Sequence, residues 1–166
     1  ITLNKPLRLH KSKVFKNIPS YECSGTPADC VKIAVNQVLK RKPDLCISGI
    51  NHGSNSSINI IYSGTMSAAV EAALEGIPSI GFSLCNWDHE GDFSYALPFI
   101  EKIIKKTIDK GIKEGIALNV NIPDIPLPPV SVHSPPSTPR RPSPTEPHLP
   151  AAPDDPPSSC LKMMAY

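Results

Sequence analysis

Apolar positions along the chain switch several times between two spacings. Ile1–Leu9 alternates apolar and polar residues, and Pro6 makes it an edge strand or a strand broken by a turn. Val14–Tyr21 is a second, weaker strand-like stretch. A helix is predicted from Thr26, with Pro27 at its first position and the Asp29 carboxylate facing the unpaired amides. Val31, Ala34, Val35, Val38 and Leu39 recur at helical spacing, and Pro43 ends the segment after Lys40, Arg41 and Lys42. Asp44–Ser48 reads as a short buried strand, and Gly49–Tyr62 as a loop rich in glycine, asparagine and serine. A second helix opens at Ser63, with Met66, Ala69, Val70, Ala73 and Leu74 as its apolar stripe and Gly76 closing it. Ser79–Leu84 is another buried strand. Phe93–Lys110 is a third helix, with Leu97, Ile100, Ile103, Ile104 and Ile108 inward and its lysines outward. Ile116–Ile122 is the last strand. Strand and helix therefore alternate, which predicts an α/β fold with a mainly parallel sheet and helices on its faces. Ligands of such sheets gather at the carboxyl ends of the strands.

Composition divides the chain in two. Of its 20 prolines, thirteen fall between Pro126 and Pro157. Residues 1–125 are expected to fold, and residues 126–166 to form a proline-rich tail, disordered or extended, because they carry no apolar period. Within the tail, Pro136–Pro142 has the look of a polyproline ligand, although composition alone accounts for it. The net charge of +2 gives no argument for nucleic-acid binding, and no run is long enough to span a bilayer. Ile1–Lys13 has no apolar h-region and does not read as a signal peptide, and, because it does not begin with Met, the sequence reads as starting inside a longer protein. Five cysteines without a metal-ligand spacing are expected to be reduced thiols of a cytoplasmic protein.

Candidate chemistry concentrates after Ser48. Asn51 and Asn55 stand with Gly49 and Gly53 at the end of a buried strand. An asparagine oxygen is a neutral hard donor suited to Mg²⁺ or Mn²⁺ beside carboxylates, yet both residues could equally cap the turn. Ser63, Gly64 and Thr65 offer hydroxyls and helix-start amides to a phosphate, or serve as an ordinary helix cap. Thr26 carries the same ambiguity and is read as a plain cap. His52 could carry a proton or merely be solvated. Asp88, His89, Glu90 and Asp92 read as a solvated loop, Asp29 as a helix-start carboxylate, and Asp44 as a strand-edge residue. No Asp-Asp pair stands at a strand end before the tail, where Asp154 and Asp155 lie.

Four blocks in order, Gly25-Thr26-Pro27-Ala28-Asp29-Cys30-Val31, Ser48-Gly49-Ile50-Asn51-x-Gly53-x-Asn55, Tyr62-Ser63-Gly64-Thr65 and Gly76-Ile77-Pro78-Ser79-Ile80, closely resemble the stationary-phase survival protein SurE family. Asn119-Val120-Asn121-Ile122-Pro123 is similar to a later family strand, and the resemblance covers residues 1 to about 127. It implies a Rossmann-like domain and a metal-dependent phosphomonoesterase that hydrolyses nucleoside 5′-monophosphates. It further implies one divalent cation (Mg or Mn) per subunit and a homo-oligomer, dimer or tetramer. By the resemblance, Asn51 is a metal ligand, and Asn55, Ser63, Gly64 and Thr65 line the phosphate pocket. The family's Asp-Asp pair and serine ligand have no match here, so the chain by itself is expected to be inactive. The alternative is a non-catalytic remnant that binds nucleotide or phosphate, or serves in assembly.

Overall fold

The computed structural model describes residues 1–87 and 92–124. Asp88, His89, Glu90 and the expected tail, with its boundary at residue 125, Asp154, Asp155 and Cys160, lie outside the described residues.

The chain opens on a hairpin, in which β1 (Leu9–Ser12) pairs antiparallel with β2 (Ser20–Cys23). This corrects the expectation of a strand over Ile1–Leu9. Pro6 lacks a ladder donor, and pairing begins only at Leu9. Helix α1 (Pro27–Ile33) starts at Thr26 as predicted, with a complete capping box between Thr26 and Asp29. It is shorter than its apolar period suggested, because residues Ala34–Val38 continue as a wider π-helical turn. The Asn36 side chain donates to the Lys32 carbonyl at 2.9 Å, the acceptor that the backbone of residue 36 would use in an α-helix. The turn closes with Leu39 N donating to Ala34 O at 2.8 Å.

Strand β3 (Cys46–His52) comes next, followed by a single helical turn α2 (Asn59–Tyr62) and helix α3 (Gly64–Leu74). Then come strand β4 (Ser79–Leu84), helix α4 (Leu97–Lys110) behind a short 3₁₀ turn at Ser94–Ala96, and strand β5 (Ala117–Ile122). The three later strands form a parallel sheet in the order β3-β4-β5. Every residue of β4 is buried, as a central parallel strand must be. Ile80, Phe82 and Leu84 pack with Leu45, Ala96, Ile100 and Ile122 on one face. On the other face, Ala68 and Ala72 of α3 pack with Val31, Cys46 and Ile77. The predicted α/β class holds, with helices on both faces of a parallel sheet.

Two helix stripes need correction. In α3, Met66, Ala69 and Ala73 are buried as predicted, but Val70 and Leu74 are exposed. The helix is gripped on two sides, by the sheet and by α1, so its alanines face inward on both. An added Cβ on Gly81 would meet Met66 Sδ at 2.6 Å, so the glycine sets how closely the helix sits. In α4, Ile100 is buried and Ile103 and Ile104 pack on the core, whereas Leu97 and Ile108 are exposed at the two ends. The four described cysteines form no disulfide with one another. Cys46 is buried, which pushes its thiol up to about 11. Among the described residues, no helix is long and apolar enough to cross a membrane.

Candidate functional site at the carboxyl end of the parallel sheet

Gly49, Ile50, Asn51 and His52 belong to β3 rather than to the loop predicted for them, while Ser48 is strand as expected. Parallel pairing with β4 carries the strand through to His52, with a register shift between Ser48 and Asn51. Gly49 sits in that shift at φ +119°, and a Cβ there would lie 2.4 Å from the Phe82 carbonyl oxygen. Only glycine fits this position. The irregularity turns the end of β3 and sets Asn51 opposite Ser83.

Asn51 donates its side-chain amide to the carbonyls of His52 at 2.8 Å and Gly53 at 2.9 Å, with Asn55 Oδ1 at 3.5 Å. These bonds fix the amide plane and leave its oxygen on the opposite side. Asn55 is only 3% exposed. Its side chain donates to Ser83 Oγ at 2.6 Å, and its backbone N–H donates to Asn121 Oδ1 at 2.8 Å. Its carbonyl accepts from Asn119 Nδ2 at 2.6 Å, and the same Asn121 oxygen accepts from the Ser54 hydroxyl at 3.2 Å. Thus Asn55 is the hub of a polar network that ties the loop after β3 to β4 and β5. The Asn119 and Asn121 side chains share one face of β5 because strand side chains alternate. Sequence reading noted their motif but gave them no role, and the period-2 spacing was the available signal.

Ser63 accepts from Met66 N at 3.1 Å, the geometry of a helix N-cap. The first amides of a helix have no partner within it. Gly64 is exposed and meets the start of α1, since a Cβ on it would lie 3.0 Å from Pro27 Cγ. Thr65 is buried beside Gly81, the register partner of Ser48. The structure therefore joins Asn51 directly to Asn55 and sets Ser63–Thr65 at the mouth of α3. No hydrogen bond links the two groups among the described residues. The Ser48 hydroxyl is buried without a partner among the described residues.

Asp29 is a structural carboxylate, as predicted. It accepts from the Thr2 N–H and hydroxyl at 3.1 and 2.7 Å, and from those of Thr26 at 2.8 and 2.9 Å. Burial raises its pKa, but the bonds from Thr2 and Thr26 outweigh this and hold it at about 2. Asp44 pairs with Arg41 at 2.7 Å on the surface. The His52 ring packs against Phe93, with centroids 4.6 Å apart. Asp92 bonds the Ser94 N–H and hydroxyl and so opens the 3₁₀ turn.

These residues do not by themselves fit a divalent cation. Mg²⁺ and Mn²⁺ are held by oxygen donors that include carboxylates. Here the donors at the end of β3 are neutral. Among the described residues, no three His, Cys, Asp or Glu come together.

Comparison with known proteins places this arrangement. The family pattern described as "Survival protein SurE" matches residues 1–139, twelve residues beyond where the resemblance was read to stop. A 5′-nucleotidase SurE of Cytophaga hutchinsonii is 60% identical over 126 residues, covering 75% of this chain and 49% of the relative. The 5′-nucleotidase SurE of Phocaeicola vulgatus is 48% identical over 124 residues, covering 75% and 48%. The crystal structure of the SurE protein from Aquifex aeolicus superposes with a TM-score of 0.66 at 40% identity, covering 75% of this chain and 49% of that one. The chain spans about half the length of the curated relatives it matches. With a family pattern running through most of its length and close relatives along its described sheet, the chain belongs to the SurE family.

Proposed function

We propose that the protein to which these residues belong hydrolyses nucleoside 5′-monophosphates with the help of a divalent cation, and that this chain supplies the part of the site facing the phosphate. The observations that support the reading are the Asn51 amide fixed at the end of β3 and Thr65, at the start of α3, buried beside Gly81, the register partner of Ser48. In this reading the amides and hydroxyls of Ser63, Gly64 and Thr65 receive the phosphate oxygens, where helix-start dipoles favour negative charge. Asn51 presents its oxygen to the cation. Asn55, buried in its network, holds the loop in shape behind them. A bound cation would polarise the phosphoryl group and activate water. The anionic ligands it needs are not gathered among the described residues.

A chimera tests this reading. Replacing the matching stretch of the Cytophaga hutchinsonii relative with residues 1–126 of this chain is expected to keep phosphate release from a nucleoside monophosphate. In that chimera Asn51→Ala and Thr65→Val are expected to lower kcat about 10- to 100-fold. An inactive but folded chimera, or variants with unchanged rates, contradict the assignment.

The lack of a gathered carboxylate cluster among the described residues favours a second reading for the isolated chain, binding of nucleotide or phosphate without turnover. The isolated chain with Mn²⁺ is expected to release negligible phosphate, and turnover matching the complete relative contradicts this. The same proposal includes self-association, supported by the exposed Ile58, Ile61, Tyr62, Val70 and Leu74, and a cytoplasmic setting, supported by described cysteines that form no disulfide with one another. A dimer or tetramer in sedimentation is the expected result, and a monomer at all concentrations contradicts it.

A further inference from the structure

Trp87 is the only tryptophan of the chain, and it is 70% exposed. A large aromatic ring left in water forgoes burial energy that most tryptophans capture. Its position is nevertheless held. A Cβ on Gly53 would lie 2.6 Å from Trp87 Cζ3, 2.7 Å from Cε3 and 2.8 Å from Cη2, so the ring lies directly on the Gly53 backbone. Gly53 adopts φ +84°, and its N–H donates to the Asn86 carbonyl at 2.6 Å. Its own carbonyl accepts from the Asn51 side chain. The ring is therefore fastened through one glycine to the loop that carries Asn51 and Asn55, while much of its surface faces outward. Glycine is required at position 53 twice over, by its backbone angle and by the ring above it.

Building on the nucleotidase reading, we propose that Trp87 is the platform on which the base of a bound nucleoside monophosphate stacks. Every nucleobase has a π-face, so such a platform accepts purines and pyrimidines, and stacking contributes on the order of 1–3 kcal/mol. It makes Trp87 a determinant of preference for nucleotides over phosphoesters that lack a base. Its indole is also the natural reporter, since no second tryptophan contributes fluorescence.

The test titrates the chain with AMP, ribose 5-phosphate and inorganic phosphate, following indole fluorescence and, independently, heat of binding. AMP is expected to quench the indole, and ribose 5-phosphate to bind without quenching. Trp87→Ala is expected to weaken AMP about tenfold and leave ribose 5-phosphate unchanged, while Trp87→Phe keeps AMP affinity within about threefold. Equal weakening of AMP and ribose 5-phosphate, or AMP binding without quenching, overturns the platform while leaving the phosphate site standing. Binding of none of the three probes overturns both the platform and the nucleotidase reading on which it rests.

Discussion

At the scale of single residues, Asp29 shows how one carboxylate can serve two segments. It caps α1 through Thr26 and fastens the first residues of the chain through Thr2. Its pKa is held at about 2, against an ordinary value of 3.8. The ionised form is favoured in the folded state, so the stabilisation is complete above pH 3.8 and is lost as pH falls through 2. It amounts to about 2 kcal/mol. Asp29→Asn is therefore expected to lower unfolding free energy by about 2 kcal/mol at pH 7, with the gap to the parent closing towards pH 2. Urea unfolding at several pH values checks this, and a gap that stays constant with pH contradicts it. This residue was legible in advance: a Thr-Pro-x-Asp pattern before an apolar helical period is a local signal. Its second partner, Thr2, lies 27 residues away and leaves no local trace.

At the scale of elements, what holds the loop after β3 is not in the loop. Asn119 and Asn121 reach across from β5 to satisfy the backbone of Asn55. Asn121→Ala would leave the buried Asn55 N–H without its acceptor, an expected loss of about 1–3 kcal/mol. Exchange of the Asn55 amide should accelerate along with the loss of stability. Unchanged exchange would show that the network is not what fixes the loop. Gly49→Ala is expected to cost about 3 kcal/mol, because the added carbon meets the Phe82 carbonyl and the backbone angle disfavours it. Folding of that variant at parental stability contradicts the account. Element type was readable along most of the chain, since helix and strand periods are local. The ends were less so. Gly49–His52 opens a stretch rich in glycine, asparagine and serine and reads as loop, yet pairing with β4 holds it as strand. Val70 and Leu74 fit the α3 stripe by spacing, yet α1 packs on the alanine side and leaves them out. In both cases a neighbour distant in sequence decided the outcome.

At the scale of the whole molecule, the described chain is a three-stranded parallel sheet with α4 on one face, α3 and α1 on the other, and a hairpin beside them. The candidate site forms where the strand ends meet the start of α3, as this topology favours. Sequence motifs nominate Asn51, Asn55 and Ser63–Thr65 as candidates. They did not foretell that Asn55 is buried and bonded to Ser83, whereas the Asn51 side-chain oxygen takes no hydrogen bond among the described residues. That distinction needed the register of three strands. The central claim is that the end of β3 and the mouth of α3 together receive the phosphate of a nucleotide. Amide NMR shifts of the chain titrated with AMP test it most directly. The account predicts that the largest shifts fall on Asn51 and Ser63–Thr65, and that Thr65→Val removes them. A well-dispersed spectrum in which those amides stay still while others move would contradict it.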